Sequence, residues 1–421
     1  MDDLPHISEP LSKPQIAIVC DTIPYPIRSG DNQRIAELIK VLRERGWYVH
    51  LVLCGFLDSP LKRLCRTYVD DLHVYSGIGM KTRMRNIVRR AVRATDRIGK
   101  VICVPPLEEI AKQILGRSLS PIILDYWQRY PNGLDSFVGK LAGQFPWKAV
   151  IVEYIWLHKA IDKLNDSALR LMDTHDVQHQ RVAEFASRGI VFPLKITREE
   201  ESQILNKFDA VIAIQAAEAL MIKEMCPHPR VITVGSSGSS LAFETDRSVE
   251  GRLLYVGGYN GANVDGLRRF LNSVWPTIRE RHPDAQLDVC GYIYRAFLGE
   301  QFENVKFLGH QESVEINYAE AAVVINPVWI GTGLKIKTIE ALARGKALVT
   351  TPKGVEGLPD DVMRSALVVD DDGKFAMELN RLLFDKEARQ RLSRSAFAFA
   401  DLHLNKQAVY RELFEFLGYH N

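Results

Sequence analysis

The sequence has no uninterrupted apolar run near the ~18 residues that a membrane-crossing helix needs. Residues 1–13 are polar, carry prolines and lack the apolar stretch of a signal peptide, so they read as a flexible tail. Cysteine is sparse, six in 421 residues. Cys20, Cys54, Cys65, Cys103, Cys226 and Cys290 are scattered, with no CxxC and no histidines at metal-ligand spacing around them. That excludes a disulfide scaffold and predicts reduced core thiols in a cytoplasmic protein. Neither sign of charge dominates: 54 Lys and Arg face 52 Asp and Glu, a net charge of +2. A nearly balanced surface gives no reason to expect a nucleic-acid partner.

What the sequence does have is one alternation, run through twice. "QIAIVCD" (15–21) has the composition of a buried parallel strand. The loop "TIPYPIRSGD" leads into "NQRIAELIKVLRERGW", apolar at Ile35, Leu38, Ile39 and Leu42, a one-faced helix. Further strands are expected at 48–55, 121–126, 149–154, 169–175, 209–215 and 229–237. After a Ser/Gly-rich segment (236–250) the pattern restarts with "GRLLYVGGYNGANVDGLRRFL", then "QLDVCGY", "VKFLGH", "AAVVINP" and "ALVTTP". Two βαβ series predict an α/β fold of two Rossmann-like doubly wound domains. Residues 14–240 and 241–400 form them, and a C-terminal helix (401–421) is expected to cross back to the first. Ligands of such sheets bind outside the carboxyl ends of the strands, so both sets of strand-end loops are expected to face one cleft.

"GTGLKIKTIEALARGK" (331–346) begins at the carboxyl end of "AAVVINP". A strand, glycine loop and helix place backbone N–H groups and the positive end of a helix dipole together. Lys335 adds a full charge, which suits a diphosphate. Glu340, about a turn and a half into the helix, suits a ribose hydroxyl pair. The alternative is that Lys335 and Lys337 are solvated and Glu340 caps the helix. A second glycine turn, "YVGGYNGANVDGL", also follows a strand and opens a helix, but Gly257, Gly258 and Gly261 do not fit GxGxxG spacing.

Here the residues resemble a known family. "INPVWIGTGLKIKTIEALARGKALVTTPKGVEGL" is similar to the donor-binding segment of GT-B fold glycosyltransferases of the family-4-like group (glycosyl transferases group 1). "PYPIRSGDNQRIAELIKVLRERGWYVHLV" resembles that family's opening strand, loop and helix, and "DTHDVQHQR" (173–181) recurs in related enzymes. The resemblance implies a nucleotide-sugar donor, diphosphate binding at Lys335 with the backbone of Gly333 and Leu334, and ribose binding at Glu340. It also implies an approach of Gly30 to the phosphates. Gly257, Gly258 and Thr332 complete the donor-binding set. Thr332 stands where many members have a glutamate touching the donor sugar, and Gln215 stands where a serine is familiar. The segment reads like the GTGxKxK subgroup, in which the first glutamate is commonly absent.

Transfer through an oxocarbenium-like state requires fixed donors for the departing diphosphate. Lys335 and the glycine-loop amides fit that role without a metal or another cofactor. "VDD" (69–71) and "VDDDG" (369–373) are expected in solvated loops outside the motifs. His175, at a strand's carboxyl end, is a candidate for holding a sugar hydroxyl or moving the acceptor proton. Asp21 is a weaker candidate base. Residues 80–100 carry eight Lys/Arg and one acidic residue over an apolar stripe. They are read either as a helix lying on an anionic membrane or as a basic helix packed on the first domain. The expected function is transfer of a hexose, with retention implied by the resemblance, to a glycan or lipid-linked saccharide in surface polysaccharide or glycoconjugate synthesis. It would take place in the cytoplasm or peripherally on the inner face of the membrane. A nucleotide-sugar 2-epimerase and a non-catalytic donor-binding subunit are the alternatives.

Overall fold

A computed structural model of the protein describes residues 13–27, 30–55, 57–77, 130–187, 194–238, 247–331 and 333–418. The expected strand at 121–126, the basic segment 80–100, Thr332, Cys103 and the boundary near 240 lie outside them. The chain divides into two compact units, residues 1–173 with 178–210, and residues 174–177 with 211–421.

Seven strands form the first sheet: β1 Gln15–Cys20, β2 Tyr48–Cys54, β3 Asp71–Tyr75, β4 Trp147–Glu153, β5 Leu169–Asp173, β6 Ala210–Ala213 and β7 Arg230–Thr233. Their order is β3-β2-β1-β4-β5-β6-β7. The pairings β1–β2, β1–β4, β2–β3 and β4–β5 are parallel. Ile16 to Cys20 are all buried, which is why β1 reads as a continuous apolar run instead of an alternation. The Gly30–Glu44 helix buries Ile35, Leu38, Ile39 and Leu42, the stripe expected from its spacing. It also buries Arg34, whose guanidinium pairs with Asp173 through Nε at 2.9 Å and Nη2 at 3.0 Å. A bidentate pair of this kind offsets the desolvation that an isolated buried arginine would suffer.

The second sheet holds β8 Arg252–Val256, β9 Gln286–Cys290, β10 Val305–Gly309, β11 Val323–Asn326, β12 Leu348–Thr350 and β13 Leu367–Val368. Its order is β10-β9-β8-β11-β12-β13, and all five pairings are parallel. Leu253 and Tyr255 belong to one apolar cluster, with Phe270, Trp275 and Phe375. Leu254 belongs to another, with Val324, Leu342 and Phe399. Successive residues of one strand thus enter opposite cores, because helices cover both faces of the sheet. In the C-terminal Lys406–Phe416 helix, Glu412 Oε2 accepts the N–H of Thr233 in β7 at 2.7 Å.

Two strands, β3 and β13, are absent from the sequence reading. β3 is an edge strand with one buried residue, Leu72, so its apolar signal is weak, and β13 is two residues long. The acidic triplets also need correction. Asp71 is not in a loop but opens β3. Asp371 caps the Asp372–Phe384 helix, accepting the N–H of Lys374 at 2.7 Å. The five described cysteines are buried and free.

Candidate functional site

The order of the second sheet reverses direction between β8 and β11, both of which start from its middle. In doubly wound sheets the crevice at such a switch point, outside the carboxyl ends, is where ligands bind. The two glycine segments singled out in the sequence follow β8 and β11. Gly257 and Gly258 leave β8, Asn260 caps the next helix, Gly261–Arg269, and its side chain accepts the Asn263 N–H at 2.9 Å. Gly266 lets that helix approach the exit of β11: a Cβ there would stand 2.2 Å from the Pro327 carbonyl oxygen.

The loop after β11 leads into the Ile336–Ala343 helix, whose start has no side-chain cap. Gly333 turns the loop with φ 73°, a conformation that costs a side chain but not glycine. A Cβ on Gly333 would come 2.9 Å from Asp176 Oδ1, both residues belonging to the second unit. Thr338 anchors the helix from below: it accepts from Asn326 Nδ2 at 2.9 Å and donates to the Gly354 carbonyl at 2.7 Å. Thr350 Oγ1 in turn donates to the Asn326 carbonyl at 2.9 Å. These buried hydrogen bonds fix where the loop sits on the strands, while the side-chain Oδ1 of Asn326 accepts none.

Neither lysine of the motif is a solvated side chain. Lys335 Nζ donates to the carbonyls of Gly331 at 3.2 Å and Gly333 at 2.6 Å, and lies 3.9 Å from Glu356 Oε2. Its charge therefore stays beside the uncapped helix start. Lys337 reaches back to the first glycine turn. It donates to Asn263 Oδ1 and to Tyr255 Oη at 3.1 Å, and stands over the Tyr255 ring at 4.7 Å. Burial, and after it the charge of Lys335, lowers Lys337 from 10.5 to about 7. Glu340 does not cap the helix. Its Oε2 accepts from Tyr318 Oη at 3.2 Å, and Arg344 lies over the same ring at 4.5 Å. Burial first, and the Glu340 carboxylate second, raise the Tyr318 phenol well above its usual range, so it remains a donor.

The structure thus gathers Gly257, Gly258, Gly333, Leu334, Lys335 and Glu340 at the carboxyl end of one sheet. Asp21, Gly30 and His175 stand at loops and a helix start around the other. Asp21 follows β1 and accepts from Trp156 Nε1 at 3.1 Å. Gly30 opens its helix and is exposed. His175 follows β5, buried, with φ 59°. Tyr318, Asn263 and the inward role of Lys337 were missed by sequence reasoning. The available signal was slight: a lysine two residues beyond Lys335, at the start of an apolar helix.

Comparison with known proteins bears on the second half of the chain and on the fold. Residues 250–385, about a third of the chain, match the family model described as glycosyl transferases group 1. The fold is that of GT-B glycosyltransferases. Sucrose-phosphate synthase from Thermosynechococcus elongatus is similar with a TM-score of 0.63 at 16% identity, covering 96% of this chain and 100% of that one. TarM of S. aureus, as a mutant in complex with fondaparinux, alpha-GlcNAc-glycerol and UDP, gives 0.67 at 9% identity, covering 96% and 100%. HepE of Anabaena in complex with UDP-glucose gives 0.62 at 13% identity, covering 96% and 99%. A curated relative, an uncharacterized 44.6 kDa protein in the cps region of Klebsiella pneumoniae, is 22% identical over 174 residues. That match spans 39% of this chain and just under half, 45%, of the relative. Among the described residues no helix is long and apolar enough to cross a membrane.

Proposed function

We propose that the protein is a glycosyltransferase that takes a sugar from a nucleoside-diphosphate donor held at the carboxyl end of the second sheet. One observation carries the reading: a lysine, an uncapped helix start and a pinned carboxylate meet at the switch point of the sheet within the segment matched by the family model. The diphosphate would lie against Lys335 and the backbone of Gly333 and Leu334, facing Gly257 and Gly258. The ribose would be held by Glu340. As the glycosidic bond breaks, negative charge grows on the departing phosphate, and Lys335 with the helix start stabilises it more than the ground state. In this reading the neutralising charge comes from the protein, with no metal or other cofactor at the donor. Gly30 would approach the same phosphates. Thr332 would offer a hydroxyl to the sugar in place of a carboxylate.

The neighbours that bind UDP and UDP-glucose support a nucleotide-sugar donor. The cps-region relative supports an acceptor in surface polysaccharide or glycoconjugate synthesis, a glycan or lipid-linked saccharide. His175 is proposed to contact the sugar or move the acceptor proton, with Asp21 as a further candidate base. Transfer of a hexose with retention is part of the proposal. So is a cytoplasmic location in which residues 80–100 meet an anionic membrane surface. Mass spectrometry of reactions containing one nucleotide sugar, with and without an acceptor saccharide extract, tests the reading. Transfer gives a product heavier by one sugar together with the nucleoside diphosphate. An acceptor-independent isomer of the donor would point to an epimerase, and saturable binding without turnover to a donor-binding subunit.

A further inference from the structure

At the amino ends of the first strands, opposite the carboxyl ends used above, three ligand-type side chains converge. His50 lies on β2, while Asp71 and His73, two residues apart on β3, share a face of the sheet. His50 Nδ1 is 3.1 Å from His73 Nε2 and 3.8 Å from Asp71 Oδ2, and those last two atoms are 3.4 Å apart. Ligand atoms at zinc-type bond lengths of roughly 2.0–2.2 Å around a tetrahedral centre stand about 3.3 Å from one another. The triangle already has that size.

The surroundings aim these atoms inward. His50 Nε2 lies 3.0 Å from Gln15 Oε1, so a proton held there leaves the Nδ1 lone pair facing the triangle. Asp71 Oδ1 accepts the Leu72 N–H at 2.9 Å, which turns Oδ2 toward the imidazoles. Phe145 packs on both rings, 4.6 Å from His50 and 5.4 Å from His73. His50 is fully buried, whereas the Asp71 side chain is 38% exposed, leaving one side open for a water or an entering ion.

We propose that His50, Asp71 and His73 form a structural site for a divalent transition-metal ion of the zinc class, fastening edge strand β3 to β2. Two imidazoles and one carboxylate suit such an ion better than magnesium or calcium, which take oxygen ligands. The site lies within the first unit and does not depend on the transferase reading.

The test uses the full chain, stripped with a chelator and titrated with Co²⁺ and then Zn²⁺. Expected are one equivalent of Co²⁺ giving the visible absorption of a four-coordinate site, its displacement by Zn²⁺, and a higher melting temperature with either ion. His73→Gln and Asp71→Asn should each weaken binding at least tenfold, and Gln15→Leu about 10–100-fold through loss of the outer partner. Asp71 is half-exposed, so Asp71→Asn should remain folded even if His73→Gln does not. No saturable binding at micromolar metal would leave a histidine–histidine hydrogen bond only and overturn the site. Unchanged binding in a folded Asp71→Asn would do the same by placing the ion elsewhere.

Discussion

The hydroxyl of Tyr318, a residue only 1% exposed, donates to Glu340 Oε2 at 3.2 Å and is the side-chain partner that holds this carboxylate above its helix. Arg344, one turn further along, covers the Tyr318 ring and donates to the Glu340 carbonyl at 3.3 Å. In the proposed role of Glu340, meeting two ribose hydroxyls, such fixing helps, since fewer rotamers are lost on binding.

Tyr318→Phe keeps the ring and its packing and removes one hydrogen bond to a charged acceptor. Such bonds contribute about 1.5–3 kcal/mol, so donor KM should rise about tenfold or more, with kcat changed less. Glu340→Gln should raise donor KM similarly while the protein stays folded. Steady-state kinetics with varied donor read both. A lower melting temperature with unchanged KM would make the pair a packing feature.

Lys337 predicts a pH dependence whose sign is fixed by its lowered pKa. Between about 7 and 10.5 the unfolded chain holds a proton on this lysine that the folded chain does not. Stability contributed by this group therefore rises with pH across that window, and the burial penalty stands in full below it. A bound diphosphate favours the ammonium form, so nucleoside-diphosphate affinity should weaken above pH 7, by at most about tenfold per pH unit for one linked proton. Calorimetric titration of UDP at several pH values should show this slope, and Lys337→Met should lose it. The same slope in the variant would assign the effect to another group.

Gly266→Ala places a methyl group 2.2 Å from the Pro327 carbonyl oxygen. Backbone faces it, so the helix must shift away from the exit of β11. Overpacking of this kind costs about 1–3 kcal/mol, which lowers the melting temperature by roughly 2–12 °C. Differential scanning calorimetry reads it. An unchanged melting temperature would mean that the helix moves freely against the loop.

Charge reversal at Arg89, Arg90 and Arg93 tests the membrane reading of residues 80–100. Each arginine near an anionic surface contributes about 1 kcal/mol of attraction, which decays within a Debye length. Co-sedimentation with anionic vesicles should fall in the triple variant, and fall in the unmodified protein at high salt. Equal binding to neutral vesicles would reject an electrostatic contact.

The alternation of buried strands and one-faced helices was legible because its periods and composition are local. β1, β2, β4, β8, β11 and β12 announce themselves as apolar runs, and Ile35, Leu38, Ile39 and Leu42 as a stripe. The motif from Gly331 to Glu340 was legible because a glycine loop ahead of a helix places charge at a known point. What escaped were contacts between residues distant in sequence. Nothing local says that Tyr318 meets Glu340, that Lys337 turns inward to Asn263, or that His50 meets His73 across β2 and β3. Edge strand β3 escaped too, since one buried residue in five gives no pattern.

Lys335 is proposed to neutralise the departing diphosphate. The direct measurement is nucleotide-sugar turnover, followed by nucleoside-diphosphate release, in Lys335→Ala beside the unmodified protein, with melting temperatures confirming that both are folded. In that variant kcat/KM should fall by about 10²–10³, as for loss of other donors to a charged transition state. Near-normal turnover in a folded Lys335→Ala would contradict it.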